Sequence, residues 1–179
     1  MNITAIRHTR VAVPAGICYG QADVPLASTY ADELEMLRLN VEGRKFDAVF
    51  CSPLTRCRQL ANDLFPGLTI FDDDRLMELN FGRWELQRWD VVSETPEAKA
   101  WFGDFVEVRT HDGESFRDQL IRTSAFLDEL KKQSYTAVAL VAHGGILRSL
   151  NCLLTGISPL EAFQNKVDYG EVLEFKLKG

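Results

Sequence analysis

The chain has 179 residues, 46% of them hydrophobic and 26% charged, which suits one ordinary globular core and leaves too little for two. A formal net charge of -6 argues against nucleic acid or an anionic membrane surface as a partner, because both call for a basic face. Any anion site must therefore be locally basic. With no apolar run of about 18 residues or more and no basic-then-apolar leader, the sequence reads as a cytoplasmic chain. Cys18, Cys51, Cys57 and Cys152 are scattered without metal-ligand spacing, so reduced thiols and no metal site are expected.

In chain order, Asn2 to Thr9 is a short apolar run that ends in Arg7-His8-Thr9, the pattern of a buried strand delivering a guanidinium and an imidazole to a sheet edge. Arg10 to Leu26 carries two glycines and two prolines and reads as a long loop beside His8. A helix follows from Ser28, its N-cap, with Tyr30, Leu34, Leu37 and Val41 on one face and Gly43 as the stop. Ala48 to Cys51 predicts a second strand, and Ser52-Pro53 a helix start that places Arg56 in the first turn, where free backbone donors favour an anion.

Leu68 to Phe71 predicts a third short strand, followed by Asp72 to Asp74 as a solvated turn. Residues 83–112 are irregular and aromatic, with Trp84, Trp89, Trp101, Phe102 and Phe105 among charges and Pro96 starting a short helix. This segment is expected to leave the sheet and partly cover it, its aromatics building a satellite core or stacking on a ligand. Ser115 to Asp118 has capping-box spacing for a helix to about Gln133, with Phe116, Leu120, Ser124, Leu127 and Leu130 inward. Thr136 to Ala142 is unbroken and apolar, as in a central parallel strand, and ends in His143-Gly144-Gly145. An apolar helix to Gly156, a short helix from Ser158 and a last strand from Val172 to Leu177 complete the chain.

Alternating strands and helices imply a three-layer α/β/α sandwich with a mainly parallel central sheet, which binds ligands beyond the carboxyl ends of its strands. Arg7 and His8 end one strand, Ser52 to Arg56 follow a second and His143 ends a third. One crevice would collect two imidazoles and two guanidiniums, a set suited to gripping and attacking a phosphoryl group without a metal or other cofactor.

These stretches resemble the histidine phosphatase, or phosphoglycerate mutase-like, superfamily. The matching pieces are Arg7-His8-Thr9, Ser52 to Arg56, Glu78 to Glu85, Gly113-Glu114-Ser115 and His143-Gly144-Gly145, in the family's order across nearly the whole chain. The resemblance implies one histidine phosphatase domain over residues 1–179 with 83–112 as a lid. It also implies that His8 is the nucleophile, that Arg7, Arg56 and His143 bind the phosphoryl oxygens, and that Glu78 is the proton donor; independently, the chemistry of phosphoryl transfer favours a cationic His143 and leaves Glu85 as rival acid. Thr9, Gln21, Trp84, Glu114, Ser115 and Gly144 are expected at the rim.

Within the superfamily, Arg-His-Thr followed by Cys18 to Leu26 is similar to the α-ribazole phosphatases of cobalamin synthesis, implying α-ribazole 5'-phosphate or a related small phosphomonoester as substrate and inorganic phosphate as product. In that reading Trp84 or one of its neighbours stacks on the substrate's benzimidazole base. Leu86 stands where such relatives usually carry glycine and is expected to reshape the rim above Glu78. The alternatives are a broad-specificity, mutase-type or sugar-bisphosphate phosphatase, a non-catalytic phosphate-binding module, and a metallohydrolase.

Overall fold

The computed structural model describes residues 1–178. Strand β1 (Asn2–Arg7) is followed by α1 (Tyr30–Val41), β2 (Ala48–Cys51), α2 (Thr55–Leu64) and β3 (Ile70–Asp72). Two 3-10 turns (Asp74–Leu76 and Gly82–Trp84) then lead to α3 (Trp89–Val92), α4 (Pro96–Gly103), α5 (Phe116–Leu130), β4 (Ala137–Ala142), α6 (Gly144–Thr155), α7 (Pro159–Gln164) and β5 (Val172–Lys176).

The sheet order is β3-β2-β4-β1-β5, parallel except for β5, which runs antiparallel to β1. Period-two alternation assigns the two faces. Ile3, Ala5, Val138 and Leu140 pack with Phe126 and Leu127 of α5 and with Ile146, Leu147 and Leu150 of α6. Ile6, Val49, Ala139 and Val141 pack on the other side with Leu34 and Leu37 of α1 and Leu60 and Ala61 of α2. The expected mainly parallel sandwich is observed, and β4 is apolar on both faces because it lies at the sheet's centre.

That topology positions the site. In the register β1 and β4 end level, Arg7 opposite Ala142, and Cys51 of β2 lies opposite Val141. The next residue of each strand is therefore carried to the same edge. His8 N–H donates to Ala142 O at 3.0 Å, and Ser52 N–H donates to Val141 O at 3.0 Å.

Three local expectations are corrected. Helix α2 starts at Thr55 with Leu54 as an N-cap that offers no side-chain bond, so Ser52 is not its cap, although Arg56 does lie in the first turn. Helix α1 likewise starts one residue after Thr29, not at Ser28, without a side-chain cap. On α5 the Ser115–Asp118 capping box forms, but Gln119 and Thr123 are buried where Leu120 and Ser124 were expected. Those two polar residues turn inward because they have partners there: the Thr123 hydroxyl donates to Gln119 O at 2.8 Å, and Gln119 reaches Glu78.

Residues 83–112 contribute no strand to the sheet. Trp84, Val92, Ala98 and Trp101 form a satellite core with Cys18 and Leu79. The Arg10–Leu26 loop is sewn to this segment by Cys18 N–H donating to Gln87 O at 2.9 Å and Trp89 N–H donating to Gly16 O at 2.8 Å. No helix among the described residues is long and apolar enough to cross a membrane.

Candidate active site

His8 is 1% exposed, and its Nδ1 lies 2.7 Å from Thr9 O. A carbonyl oxygen only accepts, so Nδ1 carries the proton and Nε2 keeps its lone pair. Burial and then the Arg56 guanidinium push the imidazole well below its usual pKa, which keeps the ring neutral and nucleophilic.

The His143 ring lies edge-on to His8 with centroids 5.1 Å apart. Its Nε2 is 2.8 Å from Ser52 Oγ, which fixes the ring's orientation, and Cys57 Sγ is 3.5 Å from the same nitrogen. Burial, then Arg56 and His8, push His143 well below the usual imidazole range, which disfavours the expected cationic state. The titratable groups that act on its charge are Arg56, His8, Arg122 and Arg7, so a further positive charge is repelled until an anion arrives. The site's fixed positive charge belongs to the arginines.

Arg56 is fully buried, donating from Nη1 to Ala22 O at 2.9 Å and from Nη2 to Gly20 O at 2.6 Å. Arg7 donates from Nη1 to Val167 O at 2.5 Å and lies 3.9 Å from the Tyr169 ring centroid. Tyr19, 5.3 Å from Arg56, meets Tyr169 hydroxyl to hydroxyl at 2.6 Å, so an aromatic bridge spans the two guanidiniums. Among the described residues neither arginine has a carboxylate partner, and Arg7 Nε, Arg56 Nε and Thr9 Oγ1 are buried without any hydrogen-bond partner. Buried donors left unpaired are costly, and two of these belong to guanidiniums whose charge acts on His8, a setting that suits an oxyanion.

Glu78 occupies an extended segment between the two 3-10 turns. Its Oε1 accepts from Leu79 N–H at 2.9 Å and from Gln119 Nε2 at 3.2 Å, and both carboxylate oxygens lie 3.2 Å from Gly145 N. The approach is close enough that a Cβ at Gly145 would stand 2.2 Å from Glu78 Oε1, so any larger residue there displaces the carboxylate. Glu85, the rival acid, is engaged elsewhere: it accepts from the backbone N–H groups of Gln21 at 2.8 Å, Ala22 at 2.5 Å and Phe81 at 3.1 Å. It clasps the loop whose carbonyls hold Arg56.

The rim expectations divide. Gln21 donates from Nε2 to Glu78 O at 2.9 Å, and Gly144 lies against Arg7 and Arg148. Thr9 is fully buried beside His8, while Ser115 caps α5 and Glu114 pairs with Arg122 at 2.9 Å. Trp84 is 4% exposed within the satellite core and is not at a rim, because its ring packs edge-on to Trp89 and Trp101. Leu86 is 62% exposed with φ 64°, so the glycine expected there answers to backbone conformation, and the leucine side chain faces solvent instead of reshaping a rim above Glu78.

Gln119, Arg122, Tyr19 and Tyr169 were not singled out by sequence reading, and Ser52 and Gly145 were named there only within motifs or as a helix start. The usable signal was a pair of polar residues, Gln119 and Arg122, one turn apart on the helix that follows the Gly113-Glu114-Ser115 motif.

A sheet of this order, with two histidines and two unpaired arginines at its carboxyl edge, defines a phosphate-handling α/β enzyme. A family model described as the histidine phosphatase superfamily (branch 1) matches residues 3–179, and the chain belongs to that superfamily. It is 27% identical to the adenosylcobalamin/alpha-ribazole phosphatase of Salmonella typhimurium, over 95% of this chain and 87% of that one. It is 26% identical to phosphoserine phosphatase 1 of Hydrogenobacter thermophilus, over 80% of this chain and 71% of that one. The crystal structure of the alpha-ribazole phosphatase from Shigella flexneri superposes with a TM-score of 0.89 at 26% identity, covering 97% of this chain and 89% of that chain.

Proposed function

We propose that the chain is a phosphomonoesterase that works through a phosphohistidine on His8, with α-ribazole 5'-phosphate as its substrate. The observation that carries the chemistry is the His8 Nδ1 contact to Thr9 O at 2.7 Å, which leaves Nε2 unprotonated beside the unpartnered donors of Arg7 and Arg56. Nε2 attacks phosphorus in line, the bond to the ester oxygen breaks, and Glu78 gives that oxygen its proton. Arg7, Arg56 and His143 hold the equatorial oxygens, on which charge is spread in the transition state. Water then attacks the phosphohistidine and gives a proton to Glu78, releasing inorganic phosphate and returning His8 to its neutral form.

The substrate reading is supported by the likeness to proteins named as α-ribazole phosphatases and by the use this chain makes of its Cys18 to Leu26 stretch. That loop supplies Tyr19 and the two carbonyls that hold Arg56. The whole chain acts as one domain, with residues 83–112 as its lid. Phosphoserine is the second reading, favoured by Arg148: its guanidinium has no ion pair among the described residues, and a Cβ at Gly144 would lie 3.2 Å from its Nη1 and 3.4 Å from Arg7 Nε. A cation beside the phosphate grip suits a leaving group that carries a carboxylate.

The test is phosphate release in the presence of chelator from α-ribazole 5'-phosphate, phosphoserine, 3-phosphoglycerate, a sugar bisphosphate and an aryl phosphate, with His8→Ala as control. A strong preference for α-ribazole 5'-phosphate, lost in the control and accompanied by an acid-labile phosphoenzyme, is the expected result. Preference for phosphoserine replaces the substrate and keeps the chemistry; activity that survives His8→Ala overturns the mechanism.

A further inference from the structure

Glu78 belongs to no helix or strand, yet an acid that serves an ester oxygen must be held to within a fraction of an ångström. Its carboxylate contacts do not explain what holds its backbone. Arg122, on the second turn of α5, donates from Nη2 to Glu78 O at 3.0 Å and from Nη1 to Arg75 O at 2.6 Å. The same guanidinium grips Glu114 with both prongs, Nε to Oε1 at 2.9 Å and Nη2 to Oε2 at 3.1 Å. Glu114 Oε2 in turn accepts from Asn80 N–H at 3.0 Å, and Glu114 N–H donates to Asn80 O at 2.8 Å.

One ion pair thus brackets the segment at residues 75, 78 and 80. With side chains 16% and 22% exposed it is the least exposed ion pair among the described residues, where its fork geometry is worth most. Arg122 is also unlike the arginines beside His8. Its N–H groups are engaged by two backbone carbonyls and a carboxylate, which leaves it occupied and unsuited to gripping a phosphoryl group.

We propose that Arg122 and Glu114 are positioning residues for proton transfer, fixing the Glu78 carboxylate relative to the ester oxygen without touching the substrate. This rests on reading Glu78 as the proton donor. It assigns Glu114 a role behind the acid in place of one at the rim.

The experiment exploits the leaving group. An aryl phosphate whose phenol has a low pKa leaves without help, whereas an alkyl phosphate needs the proton. In Arg122→Lys, which keeps the charge and loses the fork, and in Glu114→Gln, kcat/KM for alkyl phosphates should fall about tenfold to a hundredfold while the low-pKa aryl phosphate changes by less than about threefold. A plot of log kcat/KM against leaving-group pKa therefore steepens. Inhibition by inorganic phosphate stays at the wild-type level because Arg7 and Arg56 are untouched.

A uniform loss across all substrates, or no steepening in either folded variant, overturns the proposal. Glu78→Gln separates the two failures. A steep plot for Glu78→Gln beside wild-type slopes for the two variants sinks the positioning role alone; a flat plot for Glu78→Gln sinks the reading of Glu78 itself.

Discussion

Gly145→Ala sets helix preference against catalysis. The added Cβ would stand 2.2 Å from Glu78 Oε1 and 2.7 and 2.9 Å from the Gln119 amide atoms, where ordinary contact begins at 3.4 Å. Glu78 must retreat by about 1 Å, and a misplacement of that size costs on the order of a hundredfold in rate. The ceiling is the whole contribution of a general acid, about 10²- to 10⁴-fold. Stability should change little. Alanine is favoured over glycine within a helix by up to about 1 kcal/mol, and this offsets weakening of the two 3.2 Å contacts from Gly145 N to the carboxylate. The assay is kcat/KM on an alkyl phosphate and on an activated aryl phosphate, with a urea unfolding midpoint from the same preparation. A loss of about a hundredfold on the alkyl ester, a much smaller loss on the aryl ester and a midpoint close to wild type are expected. A folded variant with the wild-type ratio of the two activities would refute the argument that close approach of Glu78 requires glycine here.

Leu86→Gly should raise stability by about 0.5–1 kcal/mol, seen as a melting point higher by roughly 1–4 °C with unchanged activity, because a leucine at φ 64° is strained and, being 62% exposed, loses little burial when removed. His8 and His143 both have lowered folded-state pKa values, so the unfolded chain binds more protons below about pH 6.5. Their stabilisation is complete above that pH and is lost as pH falls toward the folded-state values, with a slope of about 1.4 kcal/mol per pH unit for each histidine. Urea unfolding at pH 5.5 and 7.0 should show this, and equal stability at the two values would contradict it. Trp84→Ala should cost about 3–5 kcal/mol in urea unfolding, as for a buried aromatic, while leaving the ratio of activity on α-ribazole 5'-phosphate to that on an aryl phosphate unchanged. A shifted ratio would return Trp84 to the substrate.

The order of elements was legible because local patterns carry it. The apolar run before His143 reads as a buried strand from composition alone, and the capping boxes at Ser115 and Ser158 mark two helix starts within four residues each. Strand ends then named Arg7, His8 and His143, since a parallel sheet gathers the residues at its strands' carboxyl ends along one edge. Other features depended on pairs distant in sequence: Ser52 and His143 are 91 residues apart, and Tyr19 and Tyr169 are 150 apart. No periodicity reports such contacts, so Ser52 read as a helix cap until the fold brought its hydroxyl to an imidazole. The different surroundings of Glu78, favoured by the resemblance, and of Glu85 likewise came from three dimensions. Glu85 is held by three backbone N–H groups of the rim, whereas Glu78 lies against the turn after His143. The sequence by itself determined which residue types reach the sheet edge, because strand length and alternation are local; tertiary structure decided what each one touches, because burial and hydrogen bonding are set by elements that meet only on folding.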